Sequence, residues 1–155
     1  MKKKVLGILV TSAIVGTMLM GCGSGSGGTV SGSGTASEIA NFAMDFVGYS
    51  YVWGGSSPST GFDCSGLMYY VLTQYGYSMK RVANDQMTQG TYVSRSDLQV
   101  GDLVFFGYSG YANHVGMYIG GGNFVHASTP STGVRVNSLD ESYYKTRFLC
   151  GRRII

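Results

Sequence analysis

Apolar residues recur at two different periods along the chain, and the change falls near residue 101. In the first segment they recur every three to four residues, at Ile39, Phe42, Ala43, Phe46 and Val47. This is the spacing of a helix with one buried face. Thr35 and Glu38 have the spacing of a capping box, and Gly48 is a natural helix stop. The pattern therefore predicts a helix over residues 36–47.

A second helical pattern begins at Asp63, whose carboxylate can cap the first turn of a helix. The apolar residues of this pattern are Leu67, Met68, Val71, Leu72 and Tyr75. Gly76 is placed to end the helix. A short third helix is predicted around residues 82–89.

Strand-like runs follow residue 101. They are "LVFF", "HVGMYIG", "NFVHA", "GVRVNSL" and "FLCGRRII", and Gly, Pro, Ser and Asn separate them. Such β-branched and aromatic runs between turn residues are typical of strands. Helices come first and an antiparallel sheet follows, so the predicted fold class is α+β.

The first 35 residues carry neither pattern. "MKKK" and the apolar run of residues 5–21 have the form of a signal sequence. The run ends in "LMGC", which resembles a bacterial lipobox, so Cys22 is the predicted lipidation site. The Gly- and Ser-rich residues after it are typical of a flexible tether. We therefore predict a leader over residues 1–21, the lipidated Cys22 and tether over 22–35, and one folded domain over 36–155.

The formal net charge of +3 comes entirely from Lys2, Lys3 and Lys4. From residue 36 onward eight Lys and Arg residues balance eight Asp and Glu residues. A formally neutral domain has no electrostatic footprint for nucleic acid, so nucleic-acid binding is not expected.

The chain has three cysteines. If Cys22 is lipidated, only Cys64 and Cys150 could form a disulfide. Cys150 lies in a predicted terminal strand, where a small buried hydrophobic residue is the ordinary interpretation. Cys64 lies at the first turn of a helix, where free N–H groups and the helix dipole favour a thiolate. The carboxylate of Asp63 opposes that effect, and the sequence leaves the balance open.

Both histidines of the chain lie in one predicted hairpin. A two-residue loop that pairs Ile119 with Gly122 would put His114 and His126 on opposite faces of the sheet. An odd loop that pairs Ile119 with Asn123 would put them on one face, within reach of each other. Three consecutive glycines favour the odd, bulged loop.

A thiol and two imidazoles that can meet on one face suggest a nucleophile, a base and a group that orients the base. Two other interpretations stay open from the residues alone. One is a Cys/His/His metal site, although the close-spaced ligand pair of most zinc sites is missing. The other is a structural role without chemistry.

Four motifs in order resemble the NlpC/P60 family of papain-like cell-wall peptidases. They are "YVWGG" from Tyr51, "GFDCSGL" from Gly61, "VGDLVFF" from Val100 and "NHVGMYIGGGNFVHA" from Asn113. Together with the elements around them, the resemblance covers about residues 37–155. It implies a papain-like fold in which N-terminal helices pack on an antiparallel sheet.

The resemblance also implies roles for six residues. Cys64 would be the nucleophile, His114 the general base and His126 the group that orients His114. Tyr51 would assist the oxyanion site. Asp63 and Ser65 would help bind a free amine of the substrate. Trp53 would shape one wall of the groove or pack in the core, and Asp102 is expected to be a turn residue.

The implied substrate is the stem peptide of peptidoglycan, and the implied bond joins γ-D-glutamyl to diaminopimelate or lysine. No metal or cofactor is expected, and a monomer is favoured. Lipidation would anchor the protein outside the cytoplasm, to an outer membrane or to the outer face of the cell membrane. Two alternatives remain: a thiol amidase or acyltransferase of the same fold, and a non-catalytic wall-binding lipoprotein.

Overall fold

The computed structural model describes residues 32–155. The predicted leader, the lipidation site Cys22 and the tether up to residue 31 lie outside the described residues. No helix in the described part of the chain is both long and apolar enough to cross a bilayer.

The first helix, α1, spans Ala36–Met44 and begins with the expected capping box. The Thr35 hydroxyl accepts the backbone N–H of Glu38, and the Glu38 carboxylate accepts the backbone N–H of Thr35. The predicted end at residue 47 is wrong. The N–H groups of Phe46 and Val47 bond carbonyls three residues back, so the last turn tightens before Gly48.

The second helix, α2, spans Cys64–Gln74, as predicted. The Asp63 carboxylate caps it by accepting the N–H of Gly66 at 2.6 Å. The third helix, α3, spans only Ala83–Gln86 and is shorter than predicted. A fourth helix, α4, spans Ser142–Arg147 and was not expected from the sequence.

The strands form two sheets. Two short strands, β1 (Ser56–Ser57) and β2 (Gly61–Phe62), pair with each other. The six-stranded sheet contains β3 (Thr91–Val93), β4 (Leu103–Tyr108), β5 (Tyr111–Gly120), β6 (Asn123–Thr129), β7 (Gly133–Ser138) and β8 (Phe148–Arg153). Its order is β3-β8-β4-β5-β6-β7, and every neighbouring pair is antiparallel. The predicted α+β class is confirmed, and the last strand inserts beside β4 rather than at an edge.

Both faces of the sheet are covered. One face packs against α1 and α2, which bury Ile39, Leu67 and Leu72 against Leu103 and Phe105 of β4 and residues of β5 and β6. The other face forms a smaller cluster of Val104, Phe106, Phe124, Leu139 and Tyr144. Alternate residues of β4 therefore enter different clusters, as the period of a strand requires. The sheet becomes a rigid support for the residues on β5 and β6.

Candidate active site

Cys64 is the first residue of α2 and lines a cleft of about 480 Å³ between this helix end and β5. The cleft also contains Tyr51, Trp53, Asp63, Ser65, Arg81, Val82, Tyr111 and His114, with a few small neighbours. Helix α2 is anchored by its buried apolar face, so the position of the thiol is set by the core. The sequence-predicted nucleophile and base therefore lie in one cleft.

The two histidines meet, as the odd-loop alternative requires. Met117 pairs with Val125 and Tyr118 with Phe124, which continues to Gly116 opposite His126. His114 Nε2 and His126 Nδ1 are 2.7 Å apart. The predicted pairing of Ile119 with Asn123 is wrong, because Gly120 pairs with Asn123 instead. The odd residue is thus a β-bulge inside the strand, which leaves the parity at the histidines unchanged.

Burial decides the charge state of the thiol that the sequence left open. Burial is the largest influence on Cys64 and raises the pKa of its thiol, and the charge of Asp63 raises it further. The backbone N–H groups of Val115, Ser65 and Cys64 itself lower that pKa by hydrogen bonding to the sulfur. The helix-end donors are therefore present, yet desolvation outweighs them. The Cys64 thiol is therefore neutral at rest, and its ionisation requires a base.

The histidine pair is neutral for the same reason. Burial, and then the neighbouring His126, lower the pKa of His114 to about 3. Burial also lowers the pKa of His126 to about 4, against a hydrogen bond that His126 donates to Asn137 Oδ1, which raises it. Both rings are therefore uncharged at neutral pH, so His114 is available to accept a proton.

Asp63 has a cation partner that sequence reasoning missed. Arg81 donates from Nη1 to Asp63 Oδ1 at 2.9 Å and from Nη2 to Asp63 Oδ2 at 2.7 Å. The same guanidinium donates to Ser65 Oγ at 3.0 Å and to the carbonyl of Gly55 at 3.3 Å. Asp63 and Ser65 therefore lie in the cleft as expected, but Arg81 occupies their polar atoms. That they bind a substrate amine stays a prediction.

The other residues singled out in the sequence have different positions. Tyr51 lines the cleft, and burial, then the nearby Cys64 and Asp63, raise its phenol pKa. Trp53 is 89% exposed on the cleft wall, so the core-packing alternative is wrong. Asp102 is buried in a turn, where it accepts the N–H of Gln99 and pairs with Arg153. Asp102 is thus a structural turn residue, as predicted.

A series of hydrogen-bonded side chains that the sequence did not predict extends behind His126. Asn137 Oδ1 lies 2.8 Å from His126 Nε2, and Asn137 Nδ2 donates to both oxygens of Glu141 at 2.9 Å. Asn137 is on β7 and Glu141 precedes α4. No sequence motif marked either residue, because their role depends on which strands become neighbours.

Two alternative roles for the cysteines were a disulfide and a metal site. Cys64 and Cys150 are both free thiols, so the possible disulfide between them is not formed. Among residues 32–155, no three His, Cys, Asp or Glu side chains are placed to hold a metal ion together.

Comparison with known proteins gives the same picture of the fold. A family model described as NlpC/P60 family matches residues 48–153. The structure of an NlpC/P60 family protein from Bacillus cereus ATCC 10987 superimposes with a TM-score of 0.76 at 32% identity, over 81% of this chain and 41% of that one.

Two curated relatives are similar in sequence. The gamma-D-glutamyl-L-lysine dipeptidyl-peptidase of Bacillus subtilis (strain 168) is 40% identical over 123 residues, which is 77% of this chain and 41% of the relative. The murein DD-endopeptidase MepS/murein LD-carboxypeptidase of Escherichia coli (strain K12) is 42% identical over 120 residues, 77% of this chain and 63% of the relative. The chain thus spans less than two thirds of the length of either relative. The NlpC/P60 family model covers more than half of the chain, and residues 48–153 include Cys64, His114 and His126. The chain therefore belongs to the NlpC/P60 family.

Proposed function

We propose that this protein is a cysteine peptidase that hydrolyses the peptide stem of peptidoglycan, with Cys64 as nucleophile and His114 as general base. The observation that carries the proposal is a thiol at a helix N-terminus in one cleft with a hydrogen-bonded histidine pair. The names of the curated relatives support it, since one is a γ-D-glutamyl-L-lysine dipeptidyl-peptidase and the other a murein endopeptidase and carboxypeptidase.

The chemistry follows from the neutral resting state. His114 takes the proton of the Cys64 thiol as the sulfur attacks the carbonyl carbon of the scissile bond. The oxyanion that forms is stabilised by N–H groups at the start of α2, with the Tyr51 hydroxyl beside it. Collapse of this intermediate breaks the C–N bond, and His114 returns the proton to the leaving amine. Water then hydrolyses the thioester, with His114 again as base, and regenerates the thiol.

We propose that the bond cleaved joins γ-D-glutamyl to diaminopimelate or lysine. The B. subtilis relative supports this choice, because its name specifies a γ-D-glutamyl-L-lysine bond. The E. coli relative favours a second candidate, a bond between two D-configured centres, since it is named a DD-endopeptidase. The cleft is open and its Asp63 is neutralised by Arg81, so both stems are electrostatically acceptable.

Mass spectrometry of digested peptidoglycan tests the function and separates these candidates. The purified chain is incubated with purified peptidoglycan beside the Cys64→Ala variant. Fragments that begin with the diamino acid, absent from the variant, support cleavage after γ-D-glutamyl. Uncrosslinked stems with intact γ-D-glutamyl bonds support the second candidate, and stems joined to an added amine indicate an acyltransferase. Intact wall and intact short stem peptides, with folded protein, would favour the non-catalytic wall-binding alternative.

We also propose that Cys22 is lipidated and anchors the protein outside the cytoplasm, and that the anchored protein is a monomer. The lipobox-like "LMGC" and the Gly- and Ser-rich residues after it support the anchor. In cells fed labelled palmitate, label in the wild type but not in Cys22→Ser is the expected result. Equal labelling of both would contradict it, and size-exclusion chromatography of the purified chain in detergent tests the monomer.

A further inference from the structure

Behind the histidine pair, a chain of hydrogen bonds runs to the protein surface. His114 bonds His126, His126 bonds Asn137, and Asn137 bonds Glu141, at 2.7, 2.8 and 2.9 Å. His126 is fully buried and Glu141 is exposed. This series of hydrogen bonds therefore links the histidine pair of the cleft to a surface carboxylate.

Each link of this chain restricts the next one. An ionised carboxylate can only accept hydrogen bonds, and an amide has one donating and one accepting end. The hydrogen bonds from Asn137 and from the N–H of Ser138 lower the pKa of Glu141, so it is ionised at neutral pH. Asn137 must then turn its NH₂ group toward Glu141 and its Oδ1 toward His126.

The restriction passes through both rings. Because Asn137 Oδ1 accepts, His126 must carry its proton on Nε2, and its Nδ1 is left with a lone pair. That lone pair accepts from His114, so His114 must carry its proton on Nε2. The remaining nitrogen, His114 Nδ1, is then unprotonated and free to take the proton of Cys64.

We propose that Asn137 and Glu141 are positioning residues that select the tautomer in which His114 can act as a base. This inference rests on the proposed function, because it concerns the proton acceptor of that mechanism. Without the hydrogen bond from Asn137 to Glu141, the Asn137 amide could flip and would then donate to His126 Nε2. Both rings would then adopt the opposite tautomer, and His114 Nδ1, the nitrogen that the proposed mechanism needs unprotonated, would carry a proton.

Among the described side chains, His126 forms hydrogen bonds with His114 and Asn137 only. The rest of its surroundings are mainly aromatic. Phe124 and Tyr144 pack against the ring with centroids 4.6 and 5.4 Å away. Arg135 lies opposite it on β7, and its charge lowers the pKa of His126, whereas that of Glu141 raises it. Apolar packing thus keeps the His126 ring in place, and the Asn137 amide decides which ring nitrogen carries the proton.

Nitrogen NMR reads the tautomers directly and does not depend on activity. The chain has two histidines, so a long-range ¹H–¹⁵N spectrum of the full chain contains two imidazoles. At pH 7 we expect both to be Nε2–H tautomers. A wild-type spectrum in which either ring carries its proton on Nδ1 would overturn the proposal.

A rescue experiment separates positioning from support of the fold. Glu141→Ala lets the Asn137 amide flip, so we expect mixed tautomers and a fall in kcat of about tenfold with KM unchanged. Adding Asn137→Asp should restore the Nε2–H tautomers and most of kcat, because a carboxylate can only accept from His126. The nearer carboxylate also raises the pKa of His126, so the acid limb of kcat/KM should move to higher pH.

Asp140→Ala is the matched control, since it removes the same charge one residue earlier, where the partner is Arg95. It should leave tautomers and kcat unchanged. The proposal is wrong if Glu141→Ala keeps wild-type tautomers, or if Asn137→Asp fails to rescue a folded Glu141→Ala protein. A different outcome would reject the proposed function and still support tautomer selection by Asn137 and Glu141. In that outcome the wild type is inactive, its histidines are Nε2–H tautomers, and Glu141→Ala changes these tautomers.

Discussion

The wall of the cleft that carries Cys64 holds an ion pair, whereas the wall that carries the histidines holds two neutral rings. On the helix side, Asp63 and Arg81 are partly exposed and neutralise each other. On the sheet side, burial removes the charge of His114 and His126. A carboxylate and a guanidinium that pair directly keep their charges, whereas desolvation removes the charge of imidazoles that bond only neutral groups. The Cys64 thiol lies between the two walls, and its pKa is raised by Asp63 on one side and lowered by the backbone of Val115 on the other.

Removing the base should have the largest effect. His114→Ala leaves a thiol with a raised pKa and no proton acceptor, so we expect stem-peptide hydrolysis to fall by about 10³-fold or more. Cys150→Ala is the control, because it removes the other described thiol, which lies in β8 outside the cleft. Substantial turnover by His114→Ala would show that the histidine wall is not the source of the base.

Acid should destabilise the protein through the two histidines of the sheet side. The folded-state pKa values of about 3 and about 4 lie below the ordinary 6.5. Between these values the unfolded chain binds more protons, so stability falls as pH falls from 6.5 toward 4. We expect a slope of about 1.4 kcal/mol per pH unit for each histidine between pH 6 and 5, from urea unfolding.

A His114→Gln variant should show a smaller slope in the same window. Equal slopes in variant and wild type would mean that other groups, and not the buried rings, cause the acid sensitivity.

Gly116→Ala should disturb the histidine wall by sterics alone. A Cβ there would lie 2.7 Å from Phe124 Cδ2, 2.8 Å from the Val125 carbonyl and 3.1 Å from His126 Cβ. We expect a stability loss of about 1–3 kcal/mol and reduced kcat, because the ring of His126 must move. Gly122→Ala, in the turn of the same hairpin, meets no atom within 4 Å; its φ of +78° should cost some stability, but kcat should stay unchanged. Unchanged kcat in both variants would show that the wall tolerates displacement.

Breaking the ion pair should have the smallest effect. Arg81→Met leaves the Asp63 carboxylate unpaired. The expected loss is about 1–2 kcal/mol, below that of a fully buried pair, since 35% of the Arg81 side chain is exposed. The uncompensated charge should raise the thiol pKa further, so Cys64 should react several-fold more slowly with iodoacetamide at pH 8.

Arg153→Met is a close control, because the Arg153–Asp102 pair has similar geometry but does not line the cleft. It should cost similar stability without slowing alkylation. Equal alkylation rates in Arg81→Met and wild type would contradict the role of Arg81 in balancing Asp63.

The parts of the site that could be predicted depend on neighbours in the chain. The capping box at Thr35, the cap of α2 by Asp63 and the parity of the two histidines are each set within a single helix start or hairpin. Only the exact place of the odd residue was missed, because a bulge at Ile119 and a longer loop have the same parity. The end of α1 was missed because competing turn types differ little in sequence.

The parts that could not be predicted depend on residues distant in sequence. Arg81 reaches Asp63 across 18 positions, and Asn137 reaches His126 across 11. These contacts exist because β7 pairs with β6 and because the segment before α3 folds over the start of α2. No local spacing encodes either arrangement, so a motif could not reveal them.

By itself, the sequence determined the chemical groups of the site, the helix end that carries the thiol and the shared face of the histidines, because short-range hydrogen bonds and strand parity decide these. The tertiary structure alone decided the charge state of the thiol and the rings, the partner of Asp63 and the polar chain behind His126. Burial and long-range contact create those properties, and both arise only when the helices close over the sheet.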